Sequence, residues 1–440
     1  MLNGSLSEAQ EDDVANLLNL SATDDYKVIT CHLKPENHKD CFADAQREKM
    51  KIIEKAILKF VPKEYVYCNT NRVIYIHKEN RKDGKRDFRK KLEEFQKKIQ
   101  DQLEEEKEKY DQIGIEKIKE GKLAVVTMAG GQGTRLGHNG PKGTFDIGLE
   151  SHKSIFEILC DTLKAANQKY EVTIPWYIMT SKENNSATVN FFEEHKYFGY
   201  PKGYIQFFKQ GELPMVGEDG KVLLDEEGMI KFASDGHGGV FSSMLRDGVI
   251  YDMKARKIKW VFIGAVDNVL VKMVDPTLIG LAEDRGVLVA GKSVVKAGPH
   301  EKVGVFCKKG GKPGVIEYSE ISKEMVEERD ANGELKYGES QLNCNLFALE
   351  ALEKVSEEKL PYHSAHKKAT YMDVNGEIIK GKEPNAYKFE TFFFDAFGSL
   401  DDMAIMRVKR EEEFAPVKNA DGDDSPETAR KLYQEFWKTK

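Results

Sequence analysis

Two periods of apolar residues run through the 440-residue chain, and the switches between them mark out its elements. Leu123-Ala-Val-Val-Thr-Met128 is an almost unbroken apolar run, the pattern of a strand buried on both faces inside a parallel sheet. Ser154 and Glu157 make a capping box, with Ile155, Ile158, Leu159, Thr162 and Leu163 at helical spacing behind it. Val172 to Met179 reads as a strand, Asn185 to His195 as a helix, Tyr204 to Phe208 as a strand, and Lys259 to Ala265 as a further apolar strand. Such alternation predicts an α/β fold, Rossmann-like, with a mixed, mostly parallel central sheet flanked by helices and right-handed crossovers. Ligands of these sheets sit beyond the carboxyl ends of the strands, which directs attention to the residues just after each apolar run.

The flanks follow other patterns. Val14, Leu17 and Leu18 suggest a short helix, and strand-like stretches at Tyr26 to Leu33, Tyr65 to Cys68 and Val73 to His77 surround a helical one from Phe42 to Phe60. They predict a small N-terminal α/β region over residues 1–100. A lysine- and glutamate-rich helix from Asp87 to Tyr110, with Phe88, Leu92, Phe95, Ile99 and Leu103 on one face, reads as a spacer into a main domain at 101–400. From Gly291 that domain turns β-rich. Residues 401–440, ending in a helix through Leu432, Phe436 and Trp437, are expected to form a small C-terminal lid or tail.

Candidate chemistry follows the strands. After Met128 come Ala129, Gly130, Gly131, Gln132, Gly133, Thr134 and Arg135. Gly130, Gly131 and Gly133 lack a Cβ, so the chain can turn with positive φ and a phosphate chain can touch the backbone. Arg135 adds a planar charged fork and Lys142 a mobile point charge. Ser234-Asp-Gly236-His237-Gly-Gly239 is a second glycine-rich entry to a helix, where free N–H groups favour an anion or polar ligand. Asp267 follows the apolar strand at 259–265. A carboxylate there can hold Mg²⁺ with water and phosphate oxygens completing the octahedron, or it can cap the next helix. His152, isolated in sequence, is assigned a structural role.

Two other nucleotide motifs fail on context. Gly131-Gln-Gly133-Thr-Arg-Leu136 has leucine where a dinucleotide-binding loop needs its third glycine. Gly286-Val-Leu-Val-Ala-Gly291-Lys292-Ser293 matches a phosphate-loop spacing literally, but its interior is strand-like and Gly298-Pro299 stops any helix behind it.

Composition narrows the class. A formal charge of −7 argues against a general nucleic-acid binder, so an anionic substrate must be held by locally placed cations. Six cysteines without close pairs suit reduced thiols. With no run of ~18 apolar residues and a polar amino terminus, the expectation is a cytoplasmic protein without membrane or nucleic-acid partners, monomeric or weakly dimeric.

Ala129 to Gly137 followed by Pro141-Lys142-Gly143 resembles the signature of the UDP-sugar pyrophosphorylase family, nearest the members that use N-acetylglucosamine 1-phosphate. Separated blocks continue the likeness from Tyr110 to Arg430, including Gly148 to Phe156, Phe207 to Gly211 and Val266 to Pro276. The resemblance implies an enzyme that joins UTP and N-acetylglucosamine 1-phosphate into UDP-N-acetylglucosamine and pyrophosphate, with Mg²⁺ on Asp267. Arg135 and Lys142 would stabilise the transferring phosphate and the leaving pyrophosphate, and Lys418, in Phe414-Ala-Pro-Val-Lys418, would reach the sugar phosphate from a tail closing over the pocket. Gln210 would contact the uracil. Gly304 and Glu317 would line the sugar pocket, with Asn343 preferred over Asn345 as the sugar-binding asparagine. Pro384 to Asp395 matches the family's aromatic run and contains Lys388; strand alternation would place Phe392 and Phe394 on one face, able to enclose an N-acetyl methyl. His237 stands where asparagine is expected, and Gly-His-Gly is more typical of UDP-glucose pyrophosphorylases, which keeps glucose 1-phosphate open as the acceptor. A non-catalytic sugar-nucleotide binder is the other alternative.

Overall fold

The computed structural model describes residues 26–32, 66–68, 72–78, 104–330, 334–373 and 375–438. The chain divides into two compact units, 1–109 and 110–440. In the first, β1 (Tyr26–His32), β2 (Val66–Cys68) and β3 (Arg72–Lys78) form an antiparallel sheet in the order β1-β3-β2, at the three β patterns read above. The helices expected around Leu17, from Phe42 to Phe60 and across 87–103 lie outside the described residues.

The second unit is built on a nine-stranded mixed sheet. In chain order its first strands are β4 (Leu123–Met128), β5 (Trp176–Thr180) and β6 (Ile205–Lys209). Short strands follow: β7 (Glu212–Pro214), β8 (Val216–Gly217) and β9 (Phe232–Ser234). The sheet resumes with β10 (Trp260–Ala265), β11 (Val289–Val295), β12 (Val305–Lys309), β13 (Lys312–Ile316) and β14 (Glu339–Ala348). After β15 (His363–Lys367), β16 (Thr370–Met372), β17 (Ile378–Lys380) and β18 (Ala386–Glu390), β19 (Ala404–Arg407) pairs in parallel with β11. Residues 404–407, within the segment expected as a tail from 401, are therefore part of the main sheet.

The spatial order is β13-β12-β14-β10-β4-β5-β6, with β11 on β14. From β10 to β6 the pairing is parallel throughout, and β4 and β5 are fully buried, which is why their sequences read as apolar runs without alternation. β5 starts at Trp176 rather than Val172. Pro175 has no N–H to give a ladder, although its carbonyl accepts from Val125 N–H at 2.9 Å. The chain runs outward from β4 to β5 and β6, then returns to β10 on the other side of β4. That reversal makes a topological switch point, and the crevice beyond it is where such sheets bind ligands.

Helices cover the sheet as the 3.6-residue pattern requires. The helix Ile155–Tyr170 is capped by Ser154 Oγ, which accepts from Glu157 N–H at 3.2 Å, and it buries Ile155, Ile158, Leu159 and Leu163. Helical residues 110–119 cross Pro276–Arg285 at backbone contact. A Cβ on Gly114 would sit 2.0 Å from the Pro276 carbonyl oxygen and one on Gly280 1.9 Å from that of Tyr110. Lys292, within the rejected phosphate-loop match, lies inside β11 and is 1% exposed. Its ammonium is 2.7 Å from Asp275 Oδ2, also pairs with Glu413, and donates to the Lys272 carbonyl at 3.3 Å.

This buried cluster fixes charge states. Burial alone would push the Asp275 carboxyl up, but the ammonium groups of Lys292 and Lys272 more than reverse it, so the carboxyl lies below the ordinary range. Removing one partner strands the others in a dry interior. Lys292→Met should destabilise the protein by roughly 3–5 kcal/mol, measured as a lowered urea midpoint; an unchanged midpoint would contradict the buried pairing.

Candidate active site

Beyond β4 the chain continues the ladder for one residue, Ala129 N–H donating to the Met179 carbonyl at 2.7 Å, and then folds back on itself. Lys142 N–H donates to the Gly131 carbonyl (3.1 Å) and Gly133 N–H to that of Gly140 (2.8 Å). Thr134–Leu136 forms a 3₁₀ turn closed by Gly137 at φ 69°. The positive φ thus falls at Gly137, and not at Gly130, Gly131 or Gly133 as expected from the sequence. Gly130 and Gly133 have close neighbours instead. A Cβ on Gly130 would lie 2.6 Å from Gln210 Oε1 and one on Gly133 2.8 Å from the His138 side chain, while the space beside Gly131 is open. Asn184, 1% exposed, holds the loop from below: its Nδ2 donates to the carbonyls of Ala129 (3.0 Å) and Gly131 (3.3 Å). An asparagine at a helix start reads as a cap; here its side chain is diverted to the glycine loop.

A cavity of about 310 Å³ opens against this loop, lined by Gly130, Gly131, Gln210, Ser234, Gly236, His237, Glu390 and Phe392. Gln210 follows β6, its N–H donating to the Thr180 carbonyl at 2.7 Å and its amide nitrogen to the Gly236 carbonyl. That bond, with Gly236 at φ 84° packed on the Thr391 backbone, ties the second glycine entry to the first. Lys388 lines neither cavity itself; its ammonium binds Ser234 Oγ (3.0 Å) and Glu390 Oε1 (2.7 Å), which do. Beside them, burial pushes the Asp235 carboxyl up, opposed by the Gln210 amide.

A second cavity of about 150 Å³ holds His237, Asp267, Gly304, Glu317, Asn343, Phe394 and Lys418, with Lys302, Tyr318, Gln341 and Phe414 among its other walls. His237 is common to both. Its Nδ1 accepts from the Phe393 N–H at 3.1 Å, which leaves the proton of the neutral ring on Nε2. Burial holds the imidazole below its ordinary value, against the pull of the Thr391 backbone, Glu390 and Asp395. Burial also pushes the Glu317 carboxyl up, and Glu320 adds to it. Asn343, not Asn345, lines this cavity. It sits at φ 52°, a left-handed kink inside β14 that asparagine tolerates and that turns its side chain from the ladder, whereas Asn345 is fully buried beside Gly291.

Phe392 and Phe394 do meet, for a different reason than expected. β18 ends at Glu390 and Phe393–Ser399 is a 3₁₀ turn, so no strand alternation operates. The curl brings the two rings to 5.2 Å, with the His237 ring 5.6 and 5.9 Å from them. His363, which sequence reading passed over, stacks on Phe392 at 4.1 Å and reaches Asp395 Oδ2 at 2.8 Å. His152 is exposed and bonded to Asp146, away from both cavities.

Lys142, which lines neither cavity itself, holds its Nζ 3.9 Å from Oδ2 of Asp267 in the second one, both side chains about a fifth exposed (18% and 22%). Lys418 Nζ lies 3.3 Å from Asp424 Oδ2 and 5.6 Å from the Phe414 ring centroid. Arg135 and Thr134 are exposed on their turn and line neither cavity. Among the described residues no three His, Cys, Asp or Glu side chains converge as a closed metal cage. A single hard carboxylate open to a cavity fits a cation that keeps water and phosphate oxygens as its other ligands. Among those residues, too, no helix is long and apolar enough to cross a membrane.

Comparison with known proteins identifies the family. The family model described as UTP--glucose-1-phosphate uridylyltransferase matches residues 70–424. A UDP-N-acetylglucosamine pyrophosphorylase of Saccharomyces cerevisiae is 42% identical over 336 residues, 74% of this chain and 70% of that one. A UDP-N-acetylglucosamine diphosphorylase 2 of Arabidopsis thaliana is 41% identical over 353 residues, 76% of this chain and 69% of that one. Among solved structures, a putative UDP-N-acetylglucosamine pyrophosphorylase from Entamoeba histolytica superposes with a TM-score of 0.69 at 35% identity, covering 74% of this chain and 84% of that one. With a family match over most of its length and these relatives, the chain belongs to the UTP--glucose-1-phosphate uridylyltransferase family.

Proposed function

We propose that the chain joins UTP and N-acetylglucosamine 1-phosphate to form UDP-N-acetylglucosamine and pyrophosphate. The observation that carries this reading is the pair of cavities meeting at His237, one walled by the glycine loop and the other by Asp267 and Lys418, with the Lys142 ammonium 3.9 Å from Asp267. In this reading the larger cavity takes the uridine, with Gln210 facing the uracil edge, and the smaller takes the sugar phosphate. Phe394, on the smaller cavity with the Phe392 ring 5.2 Å away on the larger one, is an apolar surface suited to an acetyl methyl, which favours the N-acetylated acceptor.

The nucleophile needs no general base, because a sugar phosphate is already ionised near neutral pH. Catalysis is then positioning and neutralisation during in-line attack on the α-phosphorus. Backbone N–H groups of the loop hold the phosphate chain, Lys142 and Arg135 meet the charge that develops on the transferring phosphate and leaving pyrophosphate, and Lys418 steers the incoming phosphate. Nucleotidyltransferases of this class are metal-dependent. Mg²⁺ is the ion proposed, held by Asp267, and it would supply charge neutralisation between phosphate oxygens. His237, as a neutral Nε2–H donor at the junction, keeps glucose 1-phosphate as the competing acceptor.

A pyrophosphate-release assay with UTP, Mg²⁺ and a panel of hexose 1-phosphates tests the assignment. N-acetylglucosamine 1-phosphate should have the highest kcat/KM; a preference for glucose 1-phosphate would move the chain to the other acceptor. Lys142→Ala should lower kcat by about 10²–10³ with the fold retained, whereas near-normal turnover would remove its role.

The His237 bond also sets a pH signature. Its folded form takes up a proton at lower pH than the unfolded chain, so its contribution is complete above roughly pH 6.5 and declines as the pH falls below that. His237→Asn keeps an acceptor for Phe393 N–H without titrating. Its melting temperature should fall less steeply than the wild type's below about pH 6.5; parallel slopes would show that His237 is not held neutral.

A further inference from the structure

The segment that carries Lys418 is joined to the Asp267 loop through one buried side chain. Asn268 is 2% exposed, and three hydrogen bonds hold its amide. Nδ2 donates to the Glu413 carbonyl at 2.7 Å, while Oδ1 accepts from Ala415 N–H at 2.9 Å and Leu270 N–H at 3.2 Å. Backbone bonds continue the seam on both sides: Val417 N–H to the Asp267 carbonyl (2.8 Å) and Val269 N–H to the Ala415 carbonyl (3.2 Å). The Glu413 carboxylate is in turn tied to the buried Lys292. Peeling the segment away would leave these donors and acceptors unpaired in the interior, which native proteins avoid.

We infer that Asn268 is a positioning residue that rivets the Lys418 segment to the Asp267 loop, making it a fixed strap rather than a lid that closes over substrate. The inference rests on the proposed uridylyl transfer for its kinetic consequence, though not for its mechanical one. Asp267 and Lys418 face the same cavity from the two sides of this seam, one residue before Asn268 and one after Val417. Their separation is therefore set before any ligand arrives. A cation placed in advance steers an incoming phosphate without an ordering step, whereas a lid would have to close at each turnover.

Hydrogen–deuterium exchange on the full chain tests the mechanical part. The Ala415 and Val417 amides should be protected without ligand as well as those of β10, and unchanged by UTP. Free exchange that slows only when UTP is added would make the segment a lid and overturn the inference. Kinetics test the positioning part. In Asn268→Ala those amides should exchange at least about tenfold faster. Turnover should fall by up to about 100-fold and KM for the sugar phosphate should rise, with KM for UTP within about twofold of wild type. Asn268→Asp keeps the Oδ1 acceptor and should recover part of the loss. Wild-type exchange and kinetics in Asn268→Ala, or equal changes in both KM values, would refute it. Should Asn268→Ala fail to fold, the wild-type exchange pattern still decides between strap and lid. An inactive wild-type chain would strike at the uridylyl-transfer reading alone and leave the exchange result standing.

Discussion

Six consecutive residue pairs between β4 and β10, from Leu123 beside Trp260 to Met128 beside Ala265, bring two parallel strands to an end at the same level. Everything chemical in the molecule depends on that register. Val266 N–H extends it by one bond to the Met128 carbonyl at 3.1 Å, and the two chains then part, one into the glycine loop and the other into Asp267. A one-residue slip would turn every side chain of a strand to the other face of the sheet. With β4 and β10 apolar and buried, the core forbids such a slip, so the glycine loop and the carboxylate are set side by side by hydrophobic packing in the strands.

Much of this was legible because it is local. The unbroken apolar run at 123–128, the Ser154 cap and the glycine cluster behind Met128 are patterns of neighbouring residues, and each lies where its pattern places it. The decoy at Gly286 to Ser293 was rejected for the same reason, and Lys292 is indeed a strand residue. What was not legible depends on distant partners. Asn184 reaches the glycine loop across 55 residues, Asn268 reaches Glu413 across 145, and Lys292 reaches Glu413 across 121. No periodicity records such pairings. The aromatic run shows a subtler limit: the Phe392 and Phe394 rings meet, yet through a 3₁₀ curl that sequence alternation could not describe. Likewise, of the two freedoms read at Gly130 and Gly133, positive φ is not used, and a side chain there would instead crowd Gln210 or His138.

The distribution of charge follows a division of labour. Lys292 and Asp275, outside both cavities, are buried and paired, with the partly buried Glu413 as a further partner of Lys292, and they stiffen the scaffold on which the exposed groups stand. Lys142 and Lys418 have only loose carboxylate contacts, at 3.9 and 3.3 Å, and each is partly open to solvent. Such cations lose little when a phosphate replaces the carboxylate. The net charge of −7 is no obstacle to binding a polyanion, because the field at the site is set by a few groups focused in a crevice.

The central claim is that Asp267 and the glycine loop together bind a metal-nucleotide complex at the switch point of the sheet. Titration calorimetry with UTP, with and without Mg²⁺, on the wild type and on Asp267→Asn tests it most directly. The account predicts that Mg²⁺ tightens UTP binding to the wild type by at least about tenfold and leaves the variant's Kd nearly unchanged. The same Mg²⁺ enhancement in both proteins would contradict it.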